Sequence, residues 1–407
     1  MYNDIVTAGF IAYKSIVRGS RSTFALMMVI LCLSFFNMLF IPGVFSGLLD
    51  TIISLEVNTY TSHVMVGPQQ DPIPKQFINN ETQLRSQIAT IPGVVGTART
   101  YLTAGSISFD PQKNGVYKRV SAQVIGIDPT ESEKILTLRN YIVAGQFLSD
   151  DDTDQIVLAA ALAGGYDLPE PNDLGGAKPG DKVQVVYGNG VERTYTVKGI
   201  TNILFGPALT NAYITGREAE SVLGASDQAT QILVRVQQED KSDYYKARLQ
   251  SLFPGLHVQT YLDLITAIKP VLDAFKLVAL IVSVISVLVA AITIFVMIYI
   301  NAVSKRRQIG ILKAIGIRED IIIMSYVFQS LFYVFCGVLF GLFFVFAVIQ
   351  PLLAVHPITL PFGPLHLSFS VALVVESIAG FFIAGFFSGF IPSRIVAREN
   401  ILKAIWG

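Results

Sequence analysis

The sequence predicts a membrane protein with four transmembrane α-helices and a large α+β extracytoplasmic domain inserted between the first and second. Three observations lead there. Hydrophobic residues make up 52% of the 407 and charged residues only 15%, with a mean hydropathy of +0.54, against roughly 25% charged in soluble domains. Charge is absent from four stretches: Ser22–Leu49 (28 residues), Leu277–Ser304 (28), Ile321–Val375 (55) and Ser377–Ser393 (17). Between the first two lies a stretch of ordinary polarity, about 227 residues from Asp50 to Lys276. This composition excludes a disordered chain and an ordinary soluble enzyme. The formal net charge of +0 gives no sign of nucleic-acid binding.

A bilayer core of ~30 Å takes about 20 apolar residues as a helix. The first two gaps therefore hold one span each, about Phe24–Leu48 and Leu277–Ile300. The third gap is too long for one helix and is expected to break near Gln350-Pro351, with Pro357, Pro361 and Pro364 following. That gives spans at Ile321–Gln350 and Leu367–Ile391. The first span is preceded by about twenty residues and is longer than a signal-peptide core, so it is expected to be retained.

Lys and Arg orient the chain. Lys14, Arg18 and Arg21 precede span one, Lys305, Arg306, Arg307, Lys313 and Arg318 separate spans two and three, and Arg394, Arg398 and Lys403 follow span four. The loop from Pro351 to His366 has none. Both termini are thus expected inside, in a cell (inner) membrane. The inside segments carry 11 basic and 4 acidic residues, the large outside segment 19 and 25. Positive inner segments suit anionic membrane lipids or an acidic partner.

The resulting layout is an amphipathic elbow helix (1–22), transmembrane helix 1 (23–49), the extracytoplasmic domain (50–262), a stalk with transmembrane helix 2 (263–304), a cytoplasmic helix (305–320), transmembrane helices 3 and 4 (321–393) and a tail (394–407). In the domain, β-rich runs fall at Thr61–Val66, Val120–Ile127, Ile156–Leu158, Lys182–Tyr187, Arg193–Ile200 and Gln231–Gln237. Tyr187-Gly188-Asn189-Gly190-Val191 signals a tight hairpin turn. A strand–helix–Pro-Gly–strand pattern occurs at both ends, around Ile91-Pro92-Gly93-Val94 and around Phe253-Pro254-Gly255-Leu256. If it is a repeat, the two ends pack together and Val120–Leu223 is an inserted lobe.

Catalytic chemistry is not legible. No phosphate-binding Gly-x-x-x-x-Gly-Lys-Ser/Thr exists, and Gly176–Lys182 lacks its spacing; His-Glu-x-x-His and Gly-x-Ser-x-Gly are absent too. No metal site is expected. Cys32 and Cys336 lie in spans, so no disulfide framework forms. The acidic run Ser149–Asp154 lacks the Gly and Glu of a calcium loop and reads as a solvated loop. Asn80-Glu81-Thr82 is a three-residue glycosylation pattern of low specificity. Glu376 is the one ionisable residue well inside a span, where such groups are costly. Gly43/Gly47, Gly337/Gly341 and Gly385/Gly389 each form a Gly-x-x-x-Gly face for close helix packing, within the chain or in a dimer.

After span two comes Lys305-Arg306-Arg307-Gln308-Ile309-Gly310-Ile311-Leu312-Lys313-Ala314-Ile315-Gly316. Ile309, Leu312, Ile315 and Ile317 are expected on one apolar side and Arg306, Arg307 and Lys313 in solvent, with Gly316 ending the helix. This stretch, together with the layout, resembles the MacB/FtsX/LolC-like ABC transporter permeases, a mechanotransmission class, over essentially the whole chain. Residues Pro392–Ile405 are similar to that family's tail, Ile5–Arg21 to its elbow helix and Val124–Pro129 to its external domain. Gln308 departs from the family's usual Glu.

The resemblance implies a permease subunit with no enzymatic activity of its own. ATP and Mg would be bound by a partner ATPase dimer, which docks on the 305–316 segment as a coupling helix. It implies a homodimer or a heterodimer with a sister permease, an extracytoplasmic adaptor, lipoprotein or hydrolase as further partner, and export, efflux or lipoprotein release as the work done. An FtsX-like regulator of a cell-wall hydrolase is the alternative. The stripe Leu264, Ile265, Ile268, Val271, Leu272 and Phe275 fits a stalk continuing span two outward, about 65 Å from Leu262 to Ser304 at 1.5 Å per residue.

Overall fold

A computed structural model describes residues 2–17, 21–69, 76–166, 172–204, 206–356, 358–360 and 363–398. The principal elements run in chain order as α1 (Tyr2–Val17), α2 (Arg21–Glu56), β1 (Val64–Gly67), α3 (Glu81–Ala89), β2 (Val94–Phe109), β3 (Lys118–Ile127), β4 (Ile142–Gly145), β5 (Gln155–Ala159), β6 (Lys182–Tyr187), β7 (Glu192–Thr201), β8 (Asn211–Thr215), α4 (Gly216–Leu223), β9 (Gln231–Val236), α5 (Ser242–Leu252), β10 (His257–Thr260), α6 (Tyr261–Ser304), α7 (Arg306–Ala314), α8 (Glu319–Phe343) and α9 (Val371–Ala397). Two compact units result: a helical one of 1–50, 270–360 and 364–407, and a mixed one of 51–269 with 361–363.

The mixed unit is built on a ten-stranded sheet. At one end its order is β10-β1-β9-β2. Strand β1 runs antiparallel to both β9 and β10, and β9 antiparallel to β2. Each strand–helix–strand unit, β1-α3-β2 and β9-α5-β10, is therefore split by a strand of the other, the interlocked arrangement of a ferredoxin-like fold. The two Pro-Gly repeats are these units, and their shared core is Val64, Val66, Ile88, Ile232, Val234 and Leu249.

The other strands close a ring, β2-β3-β8-β5-β7-β6-β2. Alternate residues point inward: Val120, Ala122 and Val124 on β3, Val183, Val185 and Tyr187 on β6, Ile156 and Leu158 on β5. A period of two with one apolar face is what a small barrel filled by side chains demands. The expected separate lobe is corrected here. The 16-residue β2 belongs to both parts, pairing β9 through Val94–Thr100 and β6 through Gly105–Ser108 along one edge. The Tyr187–Val191 turn closes as predicted, with the Gly190 amide donating to Tyr187 O and the Tyr187 amide to Val191 O, both at 2.9 Å.

A buried ion network ties α3, β2 and α4 together. Arg99 reaches Asp128 at 2.6 Å, Glu220 at 2.5 Å and Glu81 at 3.2 Å. Arg85 meets Glu81 and Glu131, each at 2.7 Å. Glu81, the centre of the glycosylation pattern, is thus a buried carboxylate with two guanidinium partners. The acidic run is likewise engaged: Asp150 accepts from Thr130, and Asp152 pairs with Lys198.

Four helices among the described residues are long and apolar enough to cross a membrane: Phe24–Thr61, Lys269–Ser304, Glu319–Val355 and Val371–Ala397. The expected break at Gln350-Pro351 does not occur. After α8 the helix widens to a π-turn over Phe344–Ile349 and resumes at Gln350. Pro351 sits in the first turn of the resumed segment, where its missing N–H costs little. Helix α9 also runs through Pro392 to Ala397, past the expected end at Ile391. The strand expected at Thr61–Val66 starts at Val64, because α2 continues as a π-helix through Thr61.

Candidate functional site: the helix between two spans

Helix α7 follows α6 after one intervening residue, Lys305, whose amide is shared by Asn301 O and Ala302 O at 3.2 Å. Gly316 ends the next turn. At φ +93° it takes the left-handed conformation open to glycine. Its amide donates to Lys313 O and that of Ile317 to Leu312 O, both at 3.0 Å. These two bonds are the Schellman pair, which satisfies carbonyls left over at a helix end.

Burial around α7 differs from the expectation in two places. Ile309 (4% exposed) and Gly310 are buried against the chain's own helices, and Leu312 and Ile317 are half-buried there. Ile315, however, is 71% exposed and lies off this side. Lys313 does not face solvent: its ammonium pairs with Glu319 at 2.8 Å and donates to Ala397 O at 2.8 Å. The helical period explains both corrections. Ile309 and Lys313 are four residues apart and share one face, whereas Ile315 falls more than a quarter-turn away. The face turned outward carries Arg307, Gln308, Ile311 (50% exposed) and Ile315. Arg306 is also exposed.

All six glycines face helices or segments of the same chain. A Cβ at Gly337 would lie 2.8 Å from Leu31 Cβ, and one at Gly341 2.7 Å from Phe35 Cδ1, so α8 packs closely on α2. One at Gly385 would lie 2.2 Å from Val334 Cγ2 and one at Gly389 2.1 Å from Ser330 Oγ, which joins α9 to α8. Gly43 and Gly47 receive Phe369 and the His366 carbonyl, just before α9. Glu376 lies on α9 with its side chain exposed, two positions past Val374, which packs inward.

Two polar links escaped the sequence reading. Asn301 on α6 donates to Gln329 on α8 at 3.1 Å, and Lys305 donates to Ser15 of α1 at 2.6 Å. Counting only charged residues hid them, since each link has at least one neutral partner that such a count ignores. Residues 400–405 of the tail lie outside the described residues. So do the side chains of Leu264, Ile265, Ile268 and Leu272 in the stalk stripe; of the rest, Val271 is exposed and Phe275 stacks on Phe45 at 5.1 Å. No group of three metal-ligating side chains occurs among the described residues.

Residues 280–401 match the FtsX-like permease C-terminal domain family, a range that holds α7, α8 and α9. A putative hemin transport system permease protein, HrtB, of Staphylococcus haemolyticus (strain JCSC1435) is 32% identical over 119 residues, 29% of this chain and 31% of that protein. The match thus spans under a third of either chain. Among solved structures, the extracellular domain of the noncanonic ABC-type transporter YknZ from Gram-positive bacteria aligns at 12% identity and a TM-score of 0.34, over 49% of this chain and 98% of that one. The periplasmic region of MacB from Actinobacillus actinomycetemcomitans aligns at 12% and 0.36, over 53% and 95%.

Proposed function

We propose, from a chain whose residues 280–401 match the FtsX-like permease C-terminal domain family, that the protein is the membrane subunit of an ATP-driven transporter whose ATPase is a separate chain. The observation that carries this reading is the outward face of α7. A short basic helix between two spans ties itself down through Ile309 and Lys313 while leaving Ile311 and Ile315 exposed beside Arg307 and Gln308. An apolar pair rimmed by a cation and an amide suits a groove on a partner, where each buried aliphatic side chain contributes ~1.5–3 kcal/mol. The docking residues are then Arg307, Gln308, Ile311 and Ile315, and Leu312 serves the chain's own packing.

Work is delivered through α6, which runs unbroken over 44 residues from Tyr261 to Ser304 and ends one residue before α7. A tilt imposed at α7 is transmitted along such a helix toward the mixed unit, which does its work on the far side of the membrane. The Staphylococcus relative matches over under a third of either chain, so its named cargo is not carried over.

The test is to isolate the chain from its native membrane after cross-linking, identify the ATPase held with it, and assay both. The complex hydrolyses ATP and the purified chain alone does not. Sustained hydrolysis by the chain alone at high purity contradicts the reading.

A further inference from the structure

A cavity of about 370 Å³ lies within the helical unit, walled by α1, α7 and α8. Its polar lining is Lys14, Ser15, Lys305, Gln308, Ser325, Tyr326 and Gln329, and its apolar lining includes Phe10 and Leu312. Among the described residues the lining carries two ammonium groups and no carboxylate. Lys305 is half-buried, and burial pushes its pKa below the ordinary lysine value. Its side-chain partner is a neutral hydroxyl, Ser15 Oγ at 2.6 Å. A half-buried ammonium without a counter-charge is costly, and a second cation, Lys14, stands beside it over the Phe10 ring at 5.6 Å.

The wall formed by α1 has two characters. Ala8 and Ala12 are buried, while Val6, Phe10, Tyr13 and Val17, spaced by three and four, are each more than half exposed. A helix with one packed face and one exposed apolar face lies in the interface of a bilayer. The cavity shares α1 with this exposed apolar face, and its lining combines two cations with apolar side chains.

We propose that this cavity binds a phosphate group, held by Lys14 and Lys305, with the anionic phospholipid headgroup as its occupant in the membrane. The bound anion neutralises Lys305 and bridges α1 to the start of α7, so that lipid composition sets how firmly α7 is held. This goes beyond the proposed function and stands whether or not an ATPase docks on the outer face.

The experiment uses the full chain in neutral detergent. Retention of phosphatidylglycerol and phosphatidylcholine is measured by native mass spectrometry, with inorganic phosphate as a soluble competitor. The wild type retains phosphatidylglycerol over phosphatidylcholine, and Lys14→Gln/Lys305→Gln lowers that retention about tenfold or more, near 1 kcal/mol per lysine. Lys305→Arg restores it in a Lys14-containing chain. Lys14→Gln alone, at an exposed side chain, gives a smaller loss and does not depend on the Lys305–Ser15 link for folding. Displacement of the lipid by millimolar phosphate assigns the same site to soluble phosphates; no displacement assigns it to the lipid. Equal retention of the two lipids by the wild type, or unchanged phosphatidylglycerol retention in the double variant, overturns the proposal.

Discussion

At the scale of the residue, close approach and buried charge decide the packing. Gly385 and Gly389 bring α9 against α8 so tightly that any side chain meets Val334 or Ser330. Gly385→Val is expected to destabilise the helical unit by about 1–3 kcal/mol, the usual range for overpacking, seen as a lowered melting temperature in detergent. Gly380→Ala, whose new Cβ would meet only Met38 Cε at 3.6 Å, should change it little. In the mixed unit, Arg99 neutralises three carboxylates. Arg99→Ala is expected to cost about 3–5 kcal/mol, because Glu81 would keep only Arg85 in a buried setting; denaturant unfolding of the domain measures it. Neither role was legible beforehand. The sequence showed which glycines share a face but not which helix faces them, and ion pairs between α3, β2 and α4 join residues up to 121 positions apart.

At the scale of the element, periodicity identified most of the chain. Charge-free gaps located the four long helices, and β-rich runs located β3, β5, β6, β7 and β9 within a residue or two. The errors occurred where local chemistry is permissive. Pro351 looked like a terminator, yet a π-turn ahead of it absorbs the helix break. On α7 the spacing of Ile309, Leu312 and Ile315 suggested one apolar side, but three-residue steps drift around a 3.6-residue helix, and packing kept only the first two. The two sides of α7 can be separated by experiment. Ile315→Asp should leave the fold and membrane insertion intact and weaken ATPase binding at least tenfold, since ~1.4 kcal/mol is one decade. Ile309→Asp should instead destabilise the helical unit itself, because that side chain is 4% exposed. Binding unaffected by Ile315→Asp would remove α7 as the docking element.

At the scale of the whole molecule, four long apolar helices with a mixed domain between the first two were readable, because a span of about 20 apolar residues is a local feature of the sequence. The sheet topology was not. A strand shared between a split βαβ pair and a closed six-stranded ring is set by pairings such as β2 with β9 and β6, which no local pattern encodes. The central claim is that the mixed unit and α7 lie on opposite sides of the membrane, with α7 on the side that holds ATP. Single cysteines at Asn189, on the tight turn, and at Asp151, which is fully exposed, should react with an impermeant thiol reagent added outside intact cells. A cysteine at the exposed Arg307 should react only after the membrane is opened. Labelling of position 307 from outside, with positions 151 and 189 protected, would contradict the account.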